Sequence, residues 1–506
     1  VKGVVLSSIH ELASRYETSN TQVNQLWKNI TWSSYGNFLS IPTDCPQRNE
    51  RLGWAGDISV FSRTATYLAD VPQFLRRYLR SMRDVQRTDG RFPDIAPLGG
   101  GFGGLLWGSA GITVPWECYQ QYGDTILLSE HYDAMKRYIQ YIIDNTIETE
   151  TNLIVQTRSW GDLCDWLGLE DEKNDKSLVW EAYFIYDLEL MAKMATVLGK
   201  VTDAEWFREL HAARKDFFNK TYIEPETGKT LFSAFVPEKK GSHIDIQTSY
   251  VLPLAFNIID EENRNKVIAN LAETVRRENT TDRGQQCPSY SLMTGFIGTS
   301  WINKALSDYG HSDLAYRLLQ QTSYPSWLYS IEQGATTIWE RLNSYTRTDG
   351  FGGNNRMNSF NHYSFGAVGA WMYNYSLGIQ RDETFPGFKQ FVLKPMPDPT
   401  GKMTYARGYY DSMYGRIESG WKVESGVIRY TFTVPANTTA TLYLPTASLR
   451  DVREKTKPVR KCKGVEFISE GNGEVVLKLL SGSYSFEVKK DYPLAARKRK
   501  KYVFVR

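Results

Sequence analysis

Apolar residues recur at helical spacing through the first three quarters of the chain. Between residues 17 and 37, Val23, Leu26, Trp27 and Ile30 fall on one face of a helix. Ile58, Phe61, Ala65 and Leu68 define the next. Phe74, Leu75, Tyr78, Leu79 and Met82 continue the pattern after a break at Asp70-Val71-Pro72. Residues 107–122 and 133–145 resume it, and amphipathic helices of ordinary length follow over 178–198, 201–218, 248–256, 264–277 and 312–320. Polar or Gly/Pro-bearing loops separate them. Roughly a dozen helices with almost no strand signal between them predict antiparallel helical pairs. Six such pairs closed in a ring make an (α/α)6 barrel, or toroid, whose loops at one end form a pocket.

Near Phe385 the texture changes. Residues 391–393, 427–434, 439–444 and 474–479 are short, β-branched and often alternating, with turn residues between them. This pattern predicts a C-terminal antiparallel β-sandwich of about one hundred residues. The expected organisation is a strand or linker at 1–15 belonging to a missing upstream region, a helical domain at 16–380, the sandwich at 381–490 and a basic tail at 491–506. Within the first segment, β-branched residues 1–7 predict a strand. The chain opens on Val1 without Met or a signal peptide, as a processed protein or a fragment would.

Composition narrows the function classes. At 506 residues the chain is too long for one ordinary core. Lys and Arg number 60 against 57 Asp and Glu, which gives no reason to expect nucleic acid, and the basic tail reads as solvated. There is no run of about 18 apolar residues, so no membrane-spanning helix is expected. Five cysteines at 45, 118, 164, 287 and 462 show neither zinc-site spacing nor a disulfide framework and read as buried thiols. Aromatic residues reach 13 %, with 14 Trp and 31 Tyr. Core packing accounts for most of them, and aromatic platforms for sugar C–H faces fit the remainder. No cofactor or metal is expected. Localisation stays open, an extracytoplasmic one being marginally favoured, and so does oligomeric state.

The chemistry concentrates in residues 44–57, where Asp44, Glu50 and Asp57 share a loop with Arg48, Arg51 and Trp54 and no hydrophobic periodicity appears. So many charges on one loop repel one another unless they surround a ligand, and a polyhydroxylated one suits them. A second charged aromatic loop at 158–166 carries Trp160, Asp162, Asp165 and Trp166. A third stretch, 331–341, sets Glu332 and Glu340 beside Trp339 and Arg341. The glycine-rich loop 99–104 lacks the Lys-Ser/Thr ending and preceding strand of a phosphate cradle. Glycosidic hydrolysis needs two carboxyl groups across the scissile atoms, one giving a proton and one acting on water or on the sugar. On spacing alone, structural ion pairs with Arg48, Arg51 and Arg341 explain these acids as well as catalysis does.

The stretch 44–57 resembles the signature loop of the bacterial α-L-rhamnosidases of glycoside hydrolase family 78. The similarity continues through Trp107, Val114-Pro115-Trp116-Glu117, residues 334–341 and residues 357–363, and ends in the β region at 386–389 and 434–440. The resemblance implies an (α/α)6 barrel followed by a β-sandwich. It also implies an inverting, exo-acting enzyme that removes terminal rhamnose from a plant or algal glycan or glycoside. By the same resemblance Glu50 matches the general acid and Glu340 the general base, with Glu332 the rival in the same loop. The two carboxyls should then stand roughly 6.5–9.5 Å apart. Asp44 and Asp57 match hydroxyl-holding positions, Arg48 a sugar contact, Trp54 an aromatic wall and His362 a hydroxyl contact. Rhamnose carries a methyl at C5, so an apolar wall is expected there, with Trp107, Trp160 and Trp166 as candidates. Asp162 and Asp165 are weaker hydroxyl-binding candidates.

Three positions depart from the family pattern: Leu342 stands where a second Trp is common, Ala55 replaces a frequent Thr, and Asn49 a frequent Asp. The first puts substrate preference in doubt more than reaction type. Two rival readings remain, a polysaccharide lyase or other glycosidase on the same toroid and a carbohydrate-binding protein without turnover.

Overall fold

The computed structural model describes residues 2–46, 50–101, 104–156, 163–352, 358–455 and 457–489. Helices follow one another as α1 (Thr21–Asn37), α2 (Ala55–Leu68), α3 (Pro72–Asp84), α4 (Ala110–Tyr122), α5 (Thr125–Thr146), α6 (Lys176–Val197), α7 (Val201–Tyr222), α8 (Gln247–Ala255), α9 (Glu261–Arg276), α10 (Phe296–Asp308), α11 (Ser312–Leu319) and α12 (Trp327–Glu332). Short helical turns cover residues 364–376. The helices fall into two kinds. In α2, α4, α6, α8 and α10 burial runs round nearly the whole helix, whereas α3 buries only Leu75, Tyr78, Leu79 and Met82, and α7 and α9 bury one face each. A helix apolar all round belongs inside, and one with a stripe belongs on the outside. Contacts agree: α2 touches α4, α4 touches α6, α6 touches α8, α8 touches α10, and α10 returns to α2. Among the described residues no helix is long and apolar enough to cross a membrane.

The circuit explains one helix that periodicity does not announce. α10 has the sequence Phe-Ile-Gly-Thr-Ser-Trp-Ile-Asn-Lys-Ala-Leu-Ser-Asp, with buried positions on most faces and no clean polar stripe. Small Gly298 lets it approach Thr248 of α8 closely.

Among the described residues before the C-terminal region, strands appear as β1 (Ser14–Thr18) and two two-residue hairpins, β2 (Phe38–Leu39) with β3 (Ile41–Pro42) and β4 (Asn279–Thr280) with β5 (Gln286–Cys287). The C-terminal region holds β6 (Ile379–Arg381), β7 (Gln390–Leu393), β8 (Tyr405–Ser412), β9 (Gly415–Glu424), β10 (Val427–Val434), β11 (Thr439–Leu444), β12 (Val452–Glu454), β13 (Lys457–Pro458), β14 (Val465–Gly471), β15 (Glu474–Leu479) and β16 (Gly482–Lys489). They form a seven-stranded sheet, β1-β8-β9-β10-β16-β12-β13, and a five-stranded sheet, β14-β15-β11-β7-β6, in which β7 and β11 run parallel. Burial alternates along β10, β11 and β15 as the sequence pattern predicts.

The strand expected at residues 1–7 is not there: residues 2–7 carry no strand, and Val4, Val5 and Leu6 are exposed. The strand lies instead at β1, partly inside a stretch read as helix. Its inward residues are Ser14, Tyr16 and Thr18, two of them polar, so no apolar alternation marks it. β1 pairs antiparallel with β8 from Ser14↔Tyr410 to Thr18↔Ala406. Polar bonds tie this sheet to the helices. Ser14 Oγ and Trp27 Nε1 both donate to Tyr373 Oη at 2.7 Å, and Trp421 Nε1 donates to the Ser376 carbonyl at 2.8 Å. Cys45, Cys118, Cys164 and Cys287 are buried and in no disulfide, and Cys462 is partly exposed.

Candidate active site

The loop before α2 is closed by its own backbone. Asp44 N–H donates to the Leu52 carbonyl and Leu52 N–H donates to Asp44 Oδ1, both at 3.0 Å. Gly53 follows because a Cβ there would lie 2.2 Å from the Ala96 carbonyl oxygen. Trp54 Nε1 donates to Glu50 Oε1 at 2.8 Å, which fixes the direction of that carboxylate. α2 then starts, with Asp57 in its first turn, where the helix dipole favours a negative charge.

A second segment meets this loop from the far end of the helical region. Glu340 N–H donates to the Ser359 carbonyl and His362 N–H to the Ile338 carbonyl, each at 2.9 Å, so the strand-like pieces 338–340 and 359–362 run together. Thr337 Oγ1 adds a bond to the Phe360 carbonyl. Ser33 Oγ of α1 receives the Ile338 N–H at 2.8 Å, anchoring the pair to the helices. Glu340 and His362 are thereby side by side and buried.

The two segments join at Asp57. Its Oδ1 meets His362 Nε2 at 2.8 Å and accepts from Ser364 Oγ at 2.6 Å. Burial pushes the His362 imidazole down, but the hydrogen bond and charge of Asp57, then Glu340 and Asp44, outweigh it and hold its pKa at about 9. At neutral pH the ring is a cation among carboxylates. Burial pushes the Asp44 carboxyl up to about 6; Asp57 and Glu50 push the same way and His362 opposes them. Asp44, Glu50, Asp57, His362 and Glu340 thus form one interacting cluster. Its chemistry suits a neutral polyol: acceptors for hydroxyl groups, one cationic donor and two separate carboxyl groups for proton transfer.

The tryptophan candidates divide. Trp107 lies against Gly56, where a Cβ would come within 2.4 Å of the indole, so it packs on the first turn of α2 directly beside Asp57. Trp166 lines a cavity of about 370 Å³ with Leu292, Tyr324, Arg341, Leu342 and Phe365. Phe296 links that cavity to the cluster, its ring centroid 5.4 Å from His362 and 5.0 Å from Phe365. Arg48, Trp160 and Asp162 lie outside the described residues.

Two further candidates have local partners. The buried Asp165 carboxylate accepts the N–H groups of Gly295 (2.8 Å) and Gly298 (3.0 Å) and the hydroxyl of Thr248, closing the start of α10. Glu332, the rival base, is exposed at the end of α12, where its Oε1 accepts from Gln22 Nε2. Sequence reading missed Ser364 as a partner of Asp57. Its only signal was its place two residues after His362. It also missed that Cys45 Sγ and carboxylate oxygens of Asp44 and Glu50 lie within 4.8 Å of one another, a set able to hold a metal ion.

Residues 11–376 match the bacterial alpha-L-rhamnosidase 6 hairpin glycosidase domain, and residues 378–458 the bacterial alpha-L-rhamnosidase C-terminal domain. An α-L-rhamnosidase of Streptomyces avermitilis is 37% identical over 490 residues, 96% of this chain and 43% of its own length. One from Formosa agariphila is 34% identical over 497 residues, 97% of this chain and 50% of its own. This chain spans about half the length of the curated relatives it matches. The crystal structure of the S. avermitilis α-L-rhamnosidase complexed with L-rhamnose superposes with a TM-score of 0.82 at 36% identity, covering 95% of this chain and 42% of that one. The Aspergillus terreus α-L-rhamnosidase gives 0.79 at 30% identity, covering 95% and 51%. The chain belongs to the bacterial α-L-rhamnosidase family.

Proposed function

We propose that the chain is the catalytic part of an inverting exo-α-L-rhamnosidase acting on terminal α-L-rhamnosyl residues of a plant or algal glycan or glycoside. The observation that carries this reading is the meeting of two distant loops, one bearing Glu50 and one bearing Glu340, around the His362–Asp57 pair. The circuit of buried helices, with outer helices packed on it, is the inner layer of an (α/α)6 barrel spanning about residues 16–380. The two C-terminal sheets form a sandwich over about 381–490.

In this mechanism Glu50, oriented by the Trp54 indole, gives its proton to the glycosidic oxygen as the bond to C1 breaks. Glu340 takes a proton from a water on the opposite face, and the water oxygen bonds to C1. The rhamnose is released as the β anomer. Asp44 and Asp57 accept hydrogen bonds from ring hydroxyls. His362 neutralises part of their charge, so the oxocarbenium-like state meets a negative but not overcharged pocket. Trp107 and Trp166 are assigned to the sugar-facing wall, and by the family pattern Trp160 to the same wall and Arg48 to a sugar contact.

A lyase on the same toroid would need a neutral Tyr or His base. His362 is held cationic by Asp57 up to about pH 9, which disfavours that alternative. Glu50→Gln and Glu340→Gln are each expected to lower turnover of an aryl α-L-rhamnoside by about 10³-fold or more, with unchanged circular dichroism. Near-normal turnover in either variant removes that residue from the mechanism.

A further inference from the structure

Cys45 has no part in the proposed chemistry, yet it sits against the proposed acid. It is fully buried, next to Asp44 in sequence, and its Sγ shares a 4.8 Å neighbourhood with carboxylate oxygens of Asp44 and Glu50. Asp44 is 1 % exposed, and its Oδ2 has no hydrogen-bond partner among the described residues. A desolvated carboxylate oxygen beside the Cys45 thiol, which hydrogen-bonds to the same carboxylate, is an open ligand position once that thiol gives up its proton. Asp57 and Glu50 deepen the negative potential there, and His362 opposes them.

We infer that Asp44, Cys45 and Glu50 form a site for one thiophilic divalent cation of the zinc type, and that occupancy stops turnover by withholding Glu50 from the glycosidic oxygen. Zinc accepts a mixed thiolate and carboxylate set, with bonds of about 2.3 Å to sulfur and about 2.0–2.2 Å to oxygen. Around a tetrahedral ion such ligands stand about 3.3–3.8 Å apart, so the three side chains need close by no more than about 1–1.5 Å on binding. The fourth position falls to water or to a substrate hydroxyl. Binding is acid–base chemistry alone: the Cys45 thiol loses its proton to solvent and the sulfur bonds to the metal. Mg²⁺ and Ca²⁺ need more oxygen ligands than the loop offers and gain nothing from sulfur. The loss of turnover rests on Glu50 being the general acid; metal binding itself does not.

The test uses the whole chain, Cys45→Ser and Cys45→Ala, and Cys462→Ser as a control for the partly exposed thiol. Zn²⁺ should inhibit hydrolysis of an aryl α-L-rhamnoside, Mg²⁺ should not, and a chelator should restore the rate. Either Cys45 variant should keep the basal rate and need about tenfold more Zn²⁺ or above for the same inhibition, since one of three ligands is gone. Co²⁺ should give a thiolate-to-metal absorption band that disappears in the Cys45 variants, whether or not the protein turns over rhamnosides. The inference is overturned if that band is absent, or if Zn²⁺ sensitivity follows Cys462 or survives unchanged in both Cys45 variants. A protein that shows the Cys45-dependent band but hydrolyses no rhamnoside keeps the metal site and loses the proposed function instead.

Discussion

The Trp54–Glu50 hydrogen bond does its work on one side chain. Trp54→Phe keeps the ring but removes the Nε1 donor that aims Glu50. A hydrogen bond to a neutral carboxyl contributes about 0.5–1.5 kcal/mol, so kcat should fall about two- to tenfold while KM changes little. The titrations act at the same scale. Asp44, facing His362, Asp57, Cys45 and Glu50, ionises near pH 6, and His362, facing Asp57, Glu340 and Asp44, loses its proton near pH 9. Hydroxyl binding by a charged Asp44 beside a cationic His362 therefore predicts a kcat/KM profile with limbs near those two values, and a flat profile across either limb removes that group from the account. His131 offers a stability test away from the site. Burial holds its pKa down at about 3, below the ordinary 6.5, so the folded state keeps the ring neutral where the unfolded chain takes up a proton. Stability is then lost as pH falls from about 6.5 toward 3. At pH 4 His131→Phe, which preserves stacking on Phe92, should recover up to about 3 kcal/mol relative to its effect at pH 8, read by denaturant unfolding.

At the scale of single elements, the sequence was informative wherever one face of a helix or strand meets solvent. The patterns behind α3, α7 and β10 lie within a few residues of the observed elements because their polar faces are polar for that reason. α10 and β1 escaped notice for opposite reasons. α10 is buried on too many sides to show a stripe, and β1 turns serine and threonine inward to meet polar partners. Asp165, a weaker hydroxyl-binding candidate by sequence, has its carboxylate engaged by the N-terminus of α10. Asp165→Ala should therefore act on folding, lowering stability by about 2–3 kcal/mol in thermal or denaturant unfolding, with KM for rhamnosides little changed.

Across the whole molecule, the candidate site was legible one loop at a time but not as a site. Residues 44–57 and 331–341 each announced charge without periodicity, yet nothing local says that they face each other. That follows from helices closing a circuit and from residues 338–340 pairing with 359–362. Ser364 and Cys45 acquire meaning only in that assembled space. The fold also makes β1 part of the C-terminal sheet, although it precedes every helix. Deleting residues 1–18 should bare the β8 edge and remove the Ser14 and Tyr16 partners of Tyr373 and Ser376, giving a lower Tm and aggregation on light scattering.

Proton NMR of the sugar released in the first moments of hydrolysis separates inversion from retention. The proposed action of Glu50 and Glu340 on opposite faces of the sugar predicts β-L-rhamnopyranose first, with the α anomer growing in by mutarotation. Initial release of the α anomer would contradict the account, since it requires a carboxylate close enough to bond to the sugar itself.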